Sequence, residues 1–85
     1  MKHAASAALD ALEPLLEKIR AAHSLTERSR GVFYRKGRAL LHFHEDSSGL
    51  FADVRGAEGS DFERIRVDAP EGEAALLARV ALLKS

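Results

Sequence analysis

The chain has 85 residues, with 13 Lys and Arg against 13 Asp and Glu, no cysteine, no tryptophan and 46% hydrophobic residues. Those dimensions suit one domain over residues 1–85. Zero cysteine excludes a disulfide framework, a Cys-ligated zinc site, thiol catalysis and iron–sulfur chemistry. No stretch approaches the roughly 18 apolar residues of a membrane span, and Asp10 and Glu13 interrupt the N-terminal segment before signal-peptide length. A cytoplasmic protein without membrane contact is expected. A core this small contributes only roughly 3–5 kcal/mol net, which favours close helix packing or a partner subunit.

In chain order, Leu9, Leu12, Leu16 and Ile19 mark an amphipathic helix over about Ser6 to His23, with Ser6 able to cap its start. Pro14 lies inside that stripe, and because the apolar phase runs across it, one kinked helix is expected, with a break and restart as the alternative. Ser24 to Arg30 reads as a polar loop. From Gly31 the period becomes two: Val32 to Tyr34 is a strand, Lys36-Gly37 a two-residue hairpin turn, and Arg38 to His44 a second strand. Glu45 to Gly49 is a turn-rich loop, Leu50 to Arg55 a third strand, Gly56 to Ser60 a loop, and Asp61 to Val67 a fourth strand. A last helix starts with Asp68 as N-cap, Pro70 in the first turn and Glu71 reaching back, and its apolar face is Leu76, Leu77, Val80 and Leu83. The expected fold is α+β: helix, four-stranded antiparallel meander, helix, with both helices on one face.

Alternation separates the two sheet faces. Leu41, Phe43, Ala52, Val54, Ile65 and Val67 share the aliphatic face that belongs under the helices. The opposite face gathers His42, His44, Phe51, Asp53, Arg55, Phe62, Arg64 and Arg66, with Leu40 among them. Cross-strand pairs such as Asp53 with an arginine are the ordinary furniture of a solvated face, yet this one is more aromatic and ionic than solvation requires. It is the candidate binding surface, for a protein partner or a second copy of the chain.

His42 and His44 share a face and could ligate one metal if His23, Asp46 or Asp53 converged on them. The expectation is nevertheless two surface histidines, no metal and no cofactor. The glycines are isolated turn residues rather than a phosphate loop, and no catalytic motif emerges, so no catalytic residue is assigned. Charge is unevenly spread. Arg28, Arg30, Arg35, Lys36 and Arg38 face only Glu27 within their segment, whereas Glu45, Asp46, Asp53, Glu58, Asp61 and Glu63 face only Arg55. The basic cluster, with Tyr34 available for stacking, is the alternative site, for nucleic acid.

The stretch from Gly31 through Arg38 to Asp46, followed by Gly49 to Arg55, resembles a group of small bacterial proteins that has no established activity. Phe33 to Arg38 is also distantly similar to the aromatic-Arg-x-Gly-Lys/Arg hairpin of the MmcQ/YjbR-like proteins. That second resemblance implies a small α+β domain with a C-terminal helix and a capacity to bind DNA.

Overall fold

The computed structural model describes residues 2–22, 24–55 and 61–83. The elements are β1 (Lys2–His3), α1 (Ser6–Ala21), β2 (Thr26–Ser29), β3 (Val32–Arg35), β4 (Arg38–Asp46), β5 (Gly49–Arg55), β6 (Phe62–Arg66) and α2 (Pro70–Ala81). The class is α+β with an antiparallel sheet. The expected four-stranded meander is instead a five-strand path, β2-β3-β4-β5-β6, and the short β1 pairs with β4 off that path.

Both additional strands lie where hydrophobic alternation is absent. β1 is two residues long and aligns with the far end of β4, Lys2 opposite Glu45 and His3 opposite His44. β2, expected as loop, has the sequence Thr-Glu-Arg-Ser and is held by charge rather than apolar burial. Arg20 of α1 makes two bonds to Glu27, Nε to Oε1 at 2.6 Å and Nη2 to Oε2 at 3.0 Å. The Gly31 amide also donates to Glu27 Oε2, at 2.9 Å. Arg20 Nη1 continues to Glu13, whose other oxygen takes Arg30, and Arg30 reaches Asp10. This network straps the first helix to the β2–β3 hairpin.

α1 runs unbroken through Pro14, so one helix is observed and the restart is not. Its end falls at Ala21; His23 lies outside the described residues. Ser6 does not cap it. Ala5 occupies the N-cap position, and its amide donates to Glu45 Oε2 at 2.7 Å. The carboxylate favoured at a helix N-terminus thus comes from β4, 40 residues along the chain. The start of α2 also differs from expectation. Ala69 is the N-cap without a side-chain bond and Pro70 is the first helical residue, because Asp68 is engaged by Arg66 instead.

The Lys36-Gly37 turn forms as expected, with φ of 53° and 80° between the paired Arg35 and Arg38, the positive-φ conformation of a tight hairpin. At the other end of β4 the strand extends through Glu45 and Asp46, leaving only Ser47-Ser48 as the turn, with Asp46 opposite Gly49. The Asp46 carboxylate accepts the Ser48 amide at 2.8 Å and its hydroxyl at 2.6 Å, a local bond that closes the turn. The expected Gly56 to Ser60 loop lies outside the described residues.

One buried cluster joins Leu12, Leu15, Leu16 and Ile19 of α1, Leu76 and Val80 of α2, and Phe33, Leu41, Phe43, Ala52, Val54 and Val67 from the sheet side. The aliphatic face therefore lies where alternation puts it, with Ile65, Leu50, Leu77 and Leu83 at its margin. Leu40 departs from that alternation. The β3–β4 register passes from Phe33 opposite Leu41 to Tyr34 opposite Ala39, so Leu40 is the extra residue of a β-bulge. It is buried rather than displayed on the outer face.

Gly72 marks the closest approach of α2 to the sheet, since a Cβ there would overlap the Arg66 carbonyl oxygen. Alanine for glycine in a helix normally stabilises by about 0.5–1 kcal/mol. Gly72→Ala is expected to do the opposite and lower the urea midpoint, because the atom in the way is backbone.

The Arg20 guanidinium holds the Glu27 carboxyl below its ordinary 4.5; burial opposes this, and the Gly31 amide assists it. A carboxyl whose folded value is depressed contributes stability that is present above the unfolded value and lost as pH falls through the folded one. Thermal unfolding of Glu27→Gln should therefore begin several degrees lower at neutral pH. The gap to the parent chain should narrow as pH drops below about 4.

Candidate functional site

The outer face of β4, β5 and β6 is laid out in cross-strand rows. His42, Asp53 and Arg64 are direct partners across the three strands, as are His44, Phe51 and Arg66. Arg55 stands opposite Phe62. The structure thus brings together all eight residues expected on this surface.

Asp53 is the centre of the arrangement. Its residue is only 8% exposed although it lies on the face away from the helices, because neighbouring side chains close over it. Arg64 grips it through two parallel bonds, Nε to Oδ1 at 2.7 Å and Nη2 to Oδ2 at 2.8 Å. This fork geometry is the strongest form of arginine–carboxylate contact. His44 Nε2 lies 3.1 Å from Oδ2 and 2.8 Å from His42 Nδ1. Arg64 holds the Asp53 carboxyl below its ordinary 3.8 against the opposing effect of burial, and the two histidines add to the lowering. The carboxylate is therefore a fixed negative charge at neutral pH.

Aromatic rings frame this centre. The His42 ring meets His44 edge-on with centroids 4.7 Å apart, and meets Phe62 in the same manner at 4.8 Å. The Arg55 guanidinium lies 4.3 Å from the Phe62 ring centroid while its Nε donates to the Ala39 carbonyl at 3.1 Å. Arg66 lies 5.8 Å from the centroid of Phe51 and is also tied to Asp68. Arg55 and Arg66 are thus each held by a hydrogen bond as well as by a ring, and Phe62 remains 38% exposed. A guanidinium stacked on a ring contributes modestly in water but more when a partner excludes solvent.

The alternative basic site is organised differently. Arg28, the bulged residue of β2, stacks on Tyr34 with its guanidinium 4.6 Å from the ring centroid. Arg30 is directed into the pairing with Asp10 and Glu13. Arg35 and Arg38 flank the turn that carries Lys36. The Tyr34 ring expected to stack on a base is thus covered by Arg28, and one of the five basic residues is spent on α1.

Of the metal partners weighed for His42 and His44, the structure selects Asp53. Asp46 faces Ser48 in the turn, and His23 lies outside the described residues. A further recess between α1 and α2 is lined by Leu12, Leu50, Val67, Pro70, Glu73 and Leu77. It depends on the helix–helix approach, and no run of sequence marks it. Among the described residues no helix is long and apolar enough to cross a membrane. Comparisons with family models, with curated proteins and with solved structures find no match.

If Asp53 is the anchor of the face, its charge acts through Arg64. Asp53→Asn should lower the melting temperature by a few degrees, and the same substitution in an Arg64→Ala background should have a smaller effect. A double-mutant cycle read by thermal denaturation measures that coupling.

Proposed function

We propose that the chain is a noncatalytic binding module whose outer sheet face docks a protein, a second copy of itself being the partner to test first. The observation that carries this reading is the pre-ordered pairing of arginine with phenyl ring at Arg55–Phe62 and Arg66–Phe51, on either side of the Asp53–Arg64 pair. Aromatic and arginine side chains dominate the energetics of protein interfaces when they are already held in place. A face that carries both the carboxylate and the guanidinium groups is also suited to pairing with a copy of itself about a two-fold axis.

Sedimentation across a concentration series in chelator-containing buffer is the test. A concentration-dependent dimer that Phe62→Ser and Arg55→Ala both weaken is expected. A strict monomer, together with unchanged binding of every captured protein by those variants, would overturn the reading.

A second reading, nucleic-acid binding, is favoured by the placement of Arg35, Lys36 and Arg38 around one turn with Arg28 on the adjoining hairpin. Phosphate contact of this kind weakens steeply with salt. Binding to duplex or single-stranded probes that falls as salt rises, and falls again in Lys36→Ala with Arg38→Ala, is the expected signature. No shift at low salt removes it.

A further inference from the structure

We infer that His42, His44 and Asp53 form a binding site for one divalent transition-metal ion, taken through His42 Nδ1, His44 Nε2 and Asp53 Oδ2. The inference concerns a ligand on the monomer and stands whether or not the face docks a protein.

It rests first on convergence. His44 Nε2 lies 2.8 Å from His42 Nδ1 and 3.1 Å from Asp53 Oδ2, and each of the three residues offers a donor atom within 4.8 Å of those of the other two. A tetrahedral ion with arms of about 2.0–2.1 Å holds its donors about 3.3 Å apart, so only small side-chain rotations separate this arrangement from a coordinating one. Two imidazole nitrogens and one carboxylate oxygen are a donor set for zinc and its first-row neighbours rather than for calcium or magnesium.

The second support is that the donor groups face one another. His44 Nε2 lies within hydrogen-bond distance of both His42 Nδ1 and Asp53 Oδ2, and a cation placed among them draws on one lone pair of each group when the two ring nitrogens are unprotonated. Asp53 retains its partner in that state, because Arg64 Nε holds Oδ1 and Nη2 donates to Oδ2, which as a carboxylate oxygen keeps a further lone pair for the ion. A second hydrogen bond that orients a ligating carboxylate is the usual support of a metal site.

The third is rigidity. The His42 and Asp53 backbones are direct partners in the six-residue β4–β5 register, and Leu41, Phe43 and Ala52 pin the opposite face into the core. The side chains of His44 and Asp53 are 12% and 11% exposed. The ion would therefore sit in a shallow, half-dry cup on strands rather than on a loop. Three protein donors leave at least one coordination position open, which distinguishes the site from closed structural zinc centres.

The test uses the full chain stripped with chelator and titrated with Zn²⁺, followed by calorimetry and by NMR of the imidazole nitrogens. Co²⁺ absorption reports the coordination geometry. One ion per chain is expected, with selective shifts at His42 and His44. Affinity should fall at least tenfold in His42→Ala, His44→Ala and Asp53→Asn and stay within about twofold in His3→Ala. Circular dichroism checks that each variant folds, and the parent-chain NMR stands even for a variant that does not. Absence of uptake overturns the inference. So does uptake that His3→Ala abolishes while the His42→Ala and His44→Ala variants retain it, since the ion is then held at the N-terminus.

Discussion

The rest of the molecule depends on the phase of β4. This nine-residue strand pairs with β3 and β1 along one side and with β5 along the other. Its odd residues Leu41 and Phe43 enter the core, and the intervening His42 and His44 stand on the outer face. A slip of one residue against β5 would exchange the two sets, placing imidazoles under the helices and phenyl rings in water. The same strand anchors α1, through the bond from the Ala5 amide to Glu45 and that from the Ala4 amide to the Phe43 carbonyl at 3.1 Å.

Most of the fold was readable in the sequence because it rests on short-range rules. The period-two runs of β3 to β6, the positive-φ turn at Lys36-Gly37, the apolar stripe of α1 and the proline-led start of α2 each advertise themselves within a few residues. What was not readable depends on partners distant in sequence. β2 carries no hydrophobic alternation, and its strand is stabilised by Arg20 from a preceding helix. The cap of α1 comes from Glu45, so no capping residue stands where local rules look for one. Asp68 has the right chemistry for a cap and is taken by Arg66, two residues earlier.

The candidate site divides in the same way. Strand alternation assembles its members on one face, and the row of His42, Asp53 and Arg64 follows from hairpin register alone. The burial of Asp53 does not follow, since alternation makes it a solvated residue and only the closure of Arg64, His42 and His44 shields it. The distance between imidazole nitrogen and carboxylate is likewise a property of rotamers, on which residue order is silent. Charge imbalance along the chain proved a poor guide to surface potential, because Arg30 pairs backward with Asp10 and Glu13 and Glu63 pairs forward with Arg79.

The two outer strands of the five-strand path are protected edges. β2 reads Thr-Glu-Arg-Ser with a register shift at Arg28, and β6 alternates charge in Phe-Glu-Arg-Ile-Arg. Strands of this kind are poor templates for another chain's backbone, since each incoming strand would have to desolvate ionic side chains and follow an irregular hydrogen-bond ladder. Lateral growth into a continuous ribbon is therefore discouraged at both borders of that path, so the charge that these strands carry also guards the sheet against fibre-like extension.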